Sequence, residues 1–363
     1  MPGWLAVVSS LPQAEPASTQ VWAWVLLLAM VAAFLGLDLG VLNRRPHVIG
    51  TREALGWTSM WVSLALGFGA VVYFAYDRHW FGLGLNNASD PLMPSSGGAA
   101  LVMYLTGYVV EQSLSLDNMF VIAMVFTYFK VPGAYQHRVL FWGILGAIVF
   151  RGIMIWAGYE MVERFSWTMY FFAGLLVVSA IKMLTMGDDE ADFDRVIIVR
   201  LARALVPVSS TLDGQRFFTR LAHQPDGPDG ATVMRLAITP LMLVLLVVES
   251  ADVLFAVDSV PAIFGITHDP FLVYSSNIFA ILGLRSLYFA LASLMGKFRF
   301  LKIALVLVLF FIGVKMILHQ AGVLHMHPLA SLGVIFGTIL SSIIASLVVK
   351  PAPGHARAAE HHP

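Results

Sequence analysis

Residues 237–265 read AITPLMLVLLVVESADVLFAVDSVPAIFG. Crossing a hydrocarbon core of ~30 Å takes about 20 apolar helical residues, so the run is long enough to span a bilayer. It nevertheless holds three acids, Glu249, Asp252 and Asp258. A charge in mid-membrane costs roughly 2.5–3.5 kcal/mol on insertion scales, which makes each of them a functional candidate. Eight further stretches have the length and hydropathy of a span: roughly 21–42, 54–76, 100–128, 139–161, 167–186, 271–294, 301–319 and 328–349. The chain reads as an all-α polytopic membrane protein of about nine transmembrane helices, with the lipid bilayer as its surroundings.

Composition agrees. Of 363 residues 58% are hydrophobic and 12% charged, against about 45–50% and about 25% in soluble domains. The formal net charge is zero, so nothing points to nucleic acid as a partner. The absence of cysteine excludes disulfides, thiolate metal sites and a cysteine nucleophile. The first twenty residues lack Lys and Arg and do not read as a cleaved signal peptide.

Basic residues orient the chain. Of the 22 Lys and Arg, sixteen fall in the odd-numbered loops and the tail, two (Arg78 and Arg164) in the even loops, and four inside spans. The bias predicts the N-terminus outside and the C-terminus in the cytoplasm. Loop five, 187–235, opens on an acidic cluster at 188–194 and closes on a Pro/Gly-rich turn at 225–230. It reads as a solvated tether; a small cytosolic subdomain or a regulatory metal sensor are the alternatives.

The spans contain a repeat. The third carries Glu111-Gln-Ser-Leu-Ser-Leu-Asp117-Asn118 and the sixth Asp252-Val-Leu-Phe-Ala-Val-Asp258-Ser259. One span later come Ile144-Leu-Gly146 with Arg151, and Ile281-Leu-Gly283 with Arg285; another span on come Lys182-Met183 and Lys315-Met316. A unit of three spans has odd parity, so its second copy enters the membrane inverted, as in secondary transporters whose sites lie between the copies. The expected organisation is an N-terminal segment with two peripheral helices (1–98), a first repeat (99–186), a cytoplasmic loop (187–235), a second, inverted repeat (236–320), and a ninth helix with its tail (321–363).

Six acids lie within the spans: Asp38, Glu111, Asp117, Glu249, Asp252 and Asp258. Four bases accompany them, with Arg151 and Arg285 as internal partners and Lys182 and Lys315 placed to snorkel toward the span ends. Two acids stay uncompensated, which calls for a bound cation or protonation. Residues seven apart share a helix face, so Glu111, Ser115 and Asn118 align, as do Asp252 and Ser259. Pro261, without an N–H for the Val257 carbonyl, predicts an unwound turn that brings Asp258 to an all-oxygen site. Carboxylate, hydroxyl and carbonyl oxygens are hard donors suited to Mg²⁺, Ca²⁺ or Mn²⁺. His319, His325 and His327 gather at the outer end of the last two spans and read as a solvated loop, with a metal-catching exit as the alternative.

Residues 111–121, 136–140, 249–264, 276–285 and 313–316 resemble the TerC family of bacterial integral membrane proteins, in its Alx branch. The resemblance implies an inverted-repeat transporter of the cytoplasmic (inner) membrane, associated with tellurium-ion resistance and manganese export. It maps the family's acidic motif onto Glu111, Asp117, Asn118, Glu249, Asp252, Asp258 and Ser259 as metal-binding residues. Arg151, Arg285, Lys182 and Lys315 then stand as charge partners, and Asp38 and Ser115 as accessory groups. Mn²⁺ is the transported ion it implies, and no permanently bound cofactor is expected. Some family members are described as redox modulators, for which a cysteine-free chain offers no chemistry of its own. The competing expectation is a non-transport scaffold or stress-response partner acting through the 187–235 loop with other membrane proteins. An enzyme is not expected: no HExxH, Gly-rich phosphate loop or nucleophile elbow is present.

Overall fold

The computed structural model describes residues 17–37, 50–85, 90–185, 197–209, 211–223, 233–292, 300–324 and 326–348. Among these residues, eight helices have the length and hydropathy of membrane spans: α1 (Ala17–Leu37), α2 (Thr51–Asp77), α3 (Gly97–Tyr128), α4 (Gly133–Arg164), α5 (Thr168–Thr185), α7 (Pro240–Phe264), α10 (Leu301–Gln320) and α11 (Pro328–Val348). A ninth is broken: α8 (Pro270–Leu282) and α9 (Leu284–Ala292) meet at Gly283 with a bend of 43°. Outward-facing side chains such as Ile153, Trp156, Leu254 and Phe336 are apolar and exposed, as lipid contact requires. The chain is an integral, multi-pass membrane protein of the all-α class, its spans all helical.

Helix starts are set locally. Ser96 Oγ accepts from the Ala99 amide at 3.2 Å to cap α3. Asp269 Oδ1 accepts from the Phe271 and Leu272 amides at 2.9 and 3.2 Å to cap α8, and Pro270 at its first position lacks the N–H that would go unpaired there. Glycines permit close approach between spans, as small residues commonly do in membranes. A Cβ on Gly313 of α10 would lie 2.9 Å from Val177 Cγ2 and 3.0 Å from the Ala173 carbonyl of α5.

The two repeat units pack reciprocally. α3 lies against α8, while its counterpart α7 lies against α4; α5 and α10, the third helices of the two units, pack on each other along their length. α3 also meets α7, and α4 meets α8. A two-fold exchange of the units produces this pairing. α2 flanks the bundle against α3 and α9, and α11 flanks it against α10 and α3.

Three expectations are corrected. Pro261 does not unwind its span: α7 runs through it to Phe264, and the Gly265 amide closes the end on the Pro261 carbonyl at 3.0 Å. A proline three residues from a helix end forfeits at most one hydrogen bond, and Val260, Pro261 and Ala262 are buried by neighbours that hold the turn. The break falls at Gly283 instead. Lys315 does not snorkel; it is 7% exposed and its Nζ donates to the Gly265 carbonyl at 3.3 Å, placing a cation at the negative end of α7. Lys182, at the end of α5, is exposed as expected.

The third correction concerns the loop. Its acidic cluster at 188–194 lies outside the described residues, but the chain beyond that cluster is folded: helix α6 (Ile197–Leu205) and an antiparallel hairpin of β1 (Phe218–His223) and β2 (Val233–Ile238). α6 packs on α7. The Arg138 guanidinium lies 5.2 Å from the Phe217 ring centroid, Trp142 meets the same ring edge-on at 6.5 Å, and Gln215 Nε2 donates to the Ala134 carbonyl at 3.4 Å. The segment is docked on the start of α4 and is not a free tether.

Candidate functional site

Glu111, Arg151 and Asp252 lie within three residues of the midpoints of α3, α4 and α7. The packing of the two units brings them together. Arg151, 1% exposed, is the centre: its Nη1 donates to Glu111 Oε1, to Asn277 Oδ1 at 2.9 Å and to Ser259 Oγ at 3.2 Å. Its Nη2 donates to Asp252 Oδ1 at 3.1 Å and its Nε to Asp252 Oδ2 at 3.5 Å, a two-pronged pairing. Ser115 Oγ donates to Glu111 Oε1 at 3.4 Å from one turn away. Glu111 and Asp252 are the first acids of the two repeat motifs, so a single guanidinium bridges equivalent residues of both units.

Burial makes the cluster interdependent. Glu111 is 0% exposed, and taking a carboxylate out of water is tolerable only when it is paired and hydrogen-bonded. Removing one partner of such a pair costs about 3–5 kcal/mol because the other charge is left behind.

Beside this centre the polar groups are less satisfied. Glu249 packs its carboxylate against Gly146 of α4, where any Cβ would overlap it, and its buried Oε2 has no hydrogen bond among the described residues. Asn118 Nδ2 and Asn277 Nδ2 are likewise buried without partners among those residues. Asn118 and Asp252 line a small cavity of about 20 Å³ with Ile122, Leu140, Gly143 and Val248, enough for one water. These residues lie from the cluster toward the end of the bundle that carries the hairpin. Among the described residues, no three His, Asp or Glu side chains converge closely enough to ligate one ion; Arg151 pairs with both Glu111 and Asp252.

The other candidates separate. Asp258, expected beside Asp252, faces α5, where Ser179 Oγ donates to its Oδ1 at 2.6 Å. Residues six apart on a continuous helix point about 120° away from one another, so without an unwound turn Asp258 does not reach the Arg151 cluster. Arg285 is buried at the start of α9. Asp38 lies outside the described residues, as does the side chain of Asp117. Two contributing residues were not among the candidates. Asn277 had a signal, the polar run Ser275-Ser276-Asn277 inside an apolar span; Ser179, a lone serine, had none.

At the opposite end of the bundle, Lys315, His319, His327, Thr106 and Ser331 line a larger cavity of about 250 Å³. His325 lies outside the described residues. Beside this cavity, His268 Nδ1 and Asp90 Oδ2 are 2.6 Å apart, and the His268 amide donates to the Leu92 carbonyl at 3.0 Å, clasping the α2–α3 and α7–α8 connections. Burial alone would push the Asp90 carboxyl up. The His268 hydrogen bond, the Leu92 amide and the imidazole charges of His268 and His319 outweigh it, and its pKa lies below the ordinary aspartate value.

Fold and cluster together define a class: a multi-pass helical protein with an ion-paired centre buried at mid-span between two copies of a three-helix unit. The model of the integral membrane protein TerC family matches residues 96–353, and the chain belongs to that family. It is 44% identical over 325 residues to an uncharacterised membrane protein of Myxococcus xanthus, covering 90% of this chain and 92% of that one. It is 40% identical over 332 residues to an Escherichia coli K12 protein that carries the provisional name membrane-bound redox modulator Alx, covering 90% and 94%. A Rickettsia felis membrane protein is 35% identical over 333 residues, covering 92% of this chain and all of that one. No solved structure matches.

Proposed function

We propose that this protein exports a hard divalent cation, Mn²⁺ in the first instance, across the bacterial cytoplasmic membrane through the acidic centre between its two repeat units. The observation that carries the reading is the convergence of Glu111, Asp252, Ser259 and Asn277 oxygens at mid-span, from three helices and both units. Such oxygens are what Mn²⁺, Ca²⁺ and Mg²⁺ select. Glu249 Oε2, without a hydrogen bond among the described residues, and the Asn118–Asp252 cavity extend the polar lining toward the hairpin end, the cytoplasmic end on the distribution of Lys and Arg. Mn²⁺ is chosen over the others on the family resemblance, and carboxylates that take up protons as the ion leaves would allow exchange for H⁺.

The redox-modulator name of the Escherichia coli relative is compatible with this reading at one remove, since exporting a redox-active metal alters cellular redox state without any thiol in the exporter. The test is Mn²⁺ flux into proteoliposomes holding purified protein, wild type beside Asp252→Asn, with Ca²⁺ as the second ion. Flux lost in the variant is the expected result. A folded wild-type protein that moves neither ion under any imposed proton gradient would refute it and favour a scaffold acting through the docked 197–238 segment.

A further inference from the structure

Arg151 sits among the Glu111, Asp252, Ser259 and Asn277 oxygens. Around Nη1, three acceptors (Glu111 Oε1, Asn277 Oδ1 and Ser259 Oγ) compete for two hydrogens, and the buried Glu111 Oε2 has no hydrogen bond among the described residues, so the cluster holds an oxygen that the guanidinium does not use. Charge is mismatched in the same sense. Glu111 and Asp252 bring two negative charges and Arg151 one positive, so the cluster is one charge short of neutral, and a dication in place of the guanidinium would close the gap. The two would draw on the same oxygens at different distances. Asp252 and Asn277 oxygens stand 2.9 to 3.5 Å from guanidinium nitrogens, whereas oxygen ligands close to about 2.0–2.6 Å on a hard divalent ion.

A second berth lies within reach. Glu249 precedes Asp252 by three residues on α7, about 4.5 Å of helix rise. Its Oε2 is buried without a hydrogen bond among the described residues, and its carboxylate rests on Gly146 of α4, the helix that carries Arg151.

We propose that the Arg151 guanidinium is the resident, exchangeable counter-ion of this site: a divalent cation takes Glu111 and Asp252 only as Arg151 leaves them, and Glu249 receives the guanidinium one turn away. The inference rests on the cation-transport reading and adds the regulation of that site. Loading the ion and releasing Arg151 are one event. The unloaded protein never holds two bare carboxylates in a low-dielectric interior, an arrangement whose desolvation cost nothing would offset.

The experiment is equilibrium binding of radiolabelled Mn²⁺ to the purified full-length protein in detergent, with helical content and gel-filtration profile checked for each variant. If Arg151 holds the site nine-tenths of the time, it weakens apparent affinity about tenfold. Arg151→Gln is therefore expected to bind Mn²⁺ about tenfold more tightly than wild type. In Arg151→Ala, added guanidinium chloride should weaken Mn²⁺ binding toward the wild-type value, while sodium chloride of equal ionic strength should not. Arg151→Lys, whose single ammonium cannot bridge both acids, should fall between Gln and wild type, and it decides the matter if the other two do not fold. Affinity at or below the wild-type value in these variants would overturn the exchange. If that occurs while Asp252→Asn abolishes binding, the cation reading stands and only the exchange fails. If wild type binds neither Mn²⁺ nor Ca²⁺, or Asp252→Asn binds as wild type does, both fail.

Discussion

Gly146→Ala is the most informative single change. The added methyl would overlap both oxygens and the carboxyl carbon of Glu249, so either α4 and α7 separate or the carboxylate rotates away. Overpacking of this kind costs about 1–3 kcal/mol. With Glu249→Ala in the background the three atoms nearest to the added methyl are gone. The same methyl then contributes only what alanine gains over glycine inside a helix, about 0.5–1 kcal/mol of stabilisation. The sign should reverse between backgrounds, giving a coupling of about 1.5–4 kcal/mol, the sum of the two effects. The assay is equilibrium unfolding in mixed micelles with SDS as denaturant, followed by far-ultraviolet circular dichroism across the four proteins of the cycle. Equal effects of Gly146→Ala in the two backgrounds would show that the carboxylate does not occupy the α4–α7 contact and would remove Glu249 from the site. Mn²⁺ flux in the single mutant should fall with stability, because the displaced carboxylate no longer lines the path.

Asp269→Ala removes the side-chain acceptor of two amides at the start of α8 and should cost about 0.5–2 kcal/mol in the same assay, with Asp269→Asn retaining most of it. Asp90→Asn tests the clasp with His268. A carboxyl whose folded pKa lies below its unfolded value stabilises fully above the unfolded value, about 3.9, and that stabilisation is lost as pH falls through the folded one. The thermal midpoint of wild type should therefore exceed that of Asp90→Asn at pH 5–6 and converge with it as pH falls through the folded value; a gap that persists in acid would refute the pairing. Phe217→Ala removes the ring held by Arg138 and Trp142 and should speed proteolytic cleavage within 197–238 while leaving the helical content of the bundle unchanged.

The span positions were legible because hydrocarbon thickness dictates a minimum apolar length, and the boundaries of 100–128, 167–186 and 328–349 sit within a few residues of α3, α5 and α11. The repeat was legible because its charged residues stand out against apolar neighbours. Which acid meets which base was not. Glu111, Arg151 and Asp252 belong to one cluster because α7 packs against both α3 and α4, a fact of packing that no spacing along one chain encodes. Pro261 misled because the effect of a proline depends on how many helical bonds remain beyond it, and here the helix ends three residues later. The hairpin was hidden because two six-residue strands on either side of a Pro/Gly-rich stretch of sequence look the same as a polar tether until Phe217 finds Arg138 and Trp142.

The bend at Gly283 divides one span into two bodies with different anchors. α8 delivers Asn277 to Arg151, whereas α9 is tied to α4 through Tyr288 Oη, which donates to Gln136 Oε1 at 3.3 Å. Asn277 precedes the pivot by six residues, a lever arm of about 9 Å at 1.5 Å per residue. A tilt of α8 by about 10° would swing its amide by roughly 1.6 Å, enough to break a 2.9 Å hydrogen bond, while Tyr288 stayed in place. The joint thus has the geometry of a gearing: a small rotation of α8 would become, at Asn277 halfway along it, the making or breaking of a single contact to the central charge.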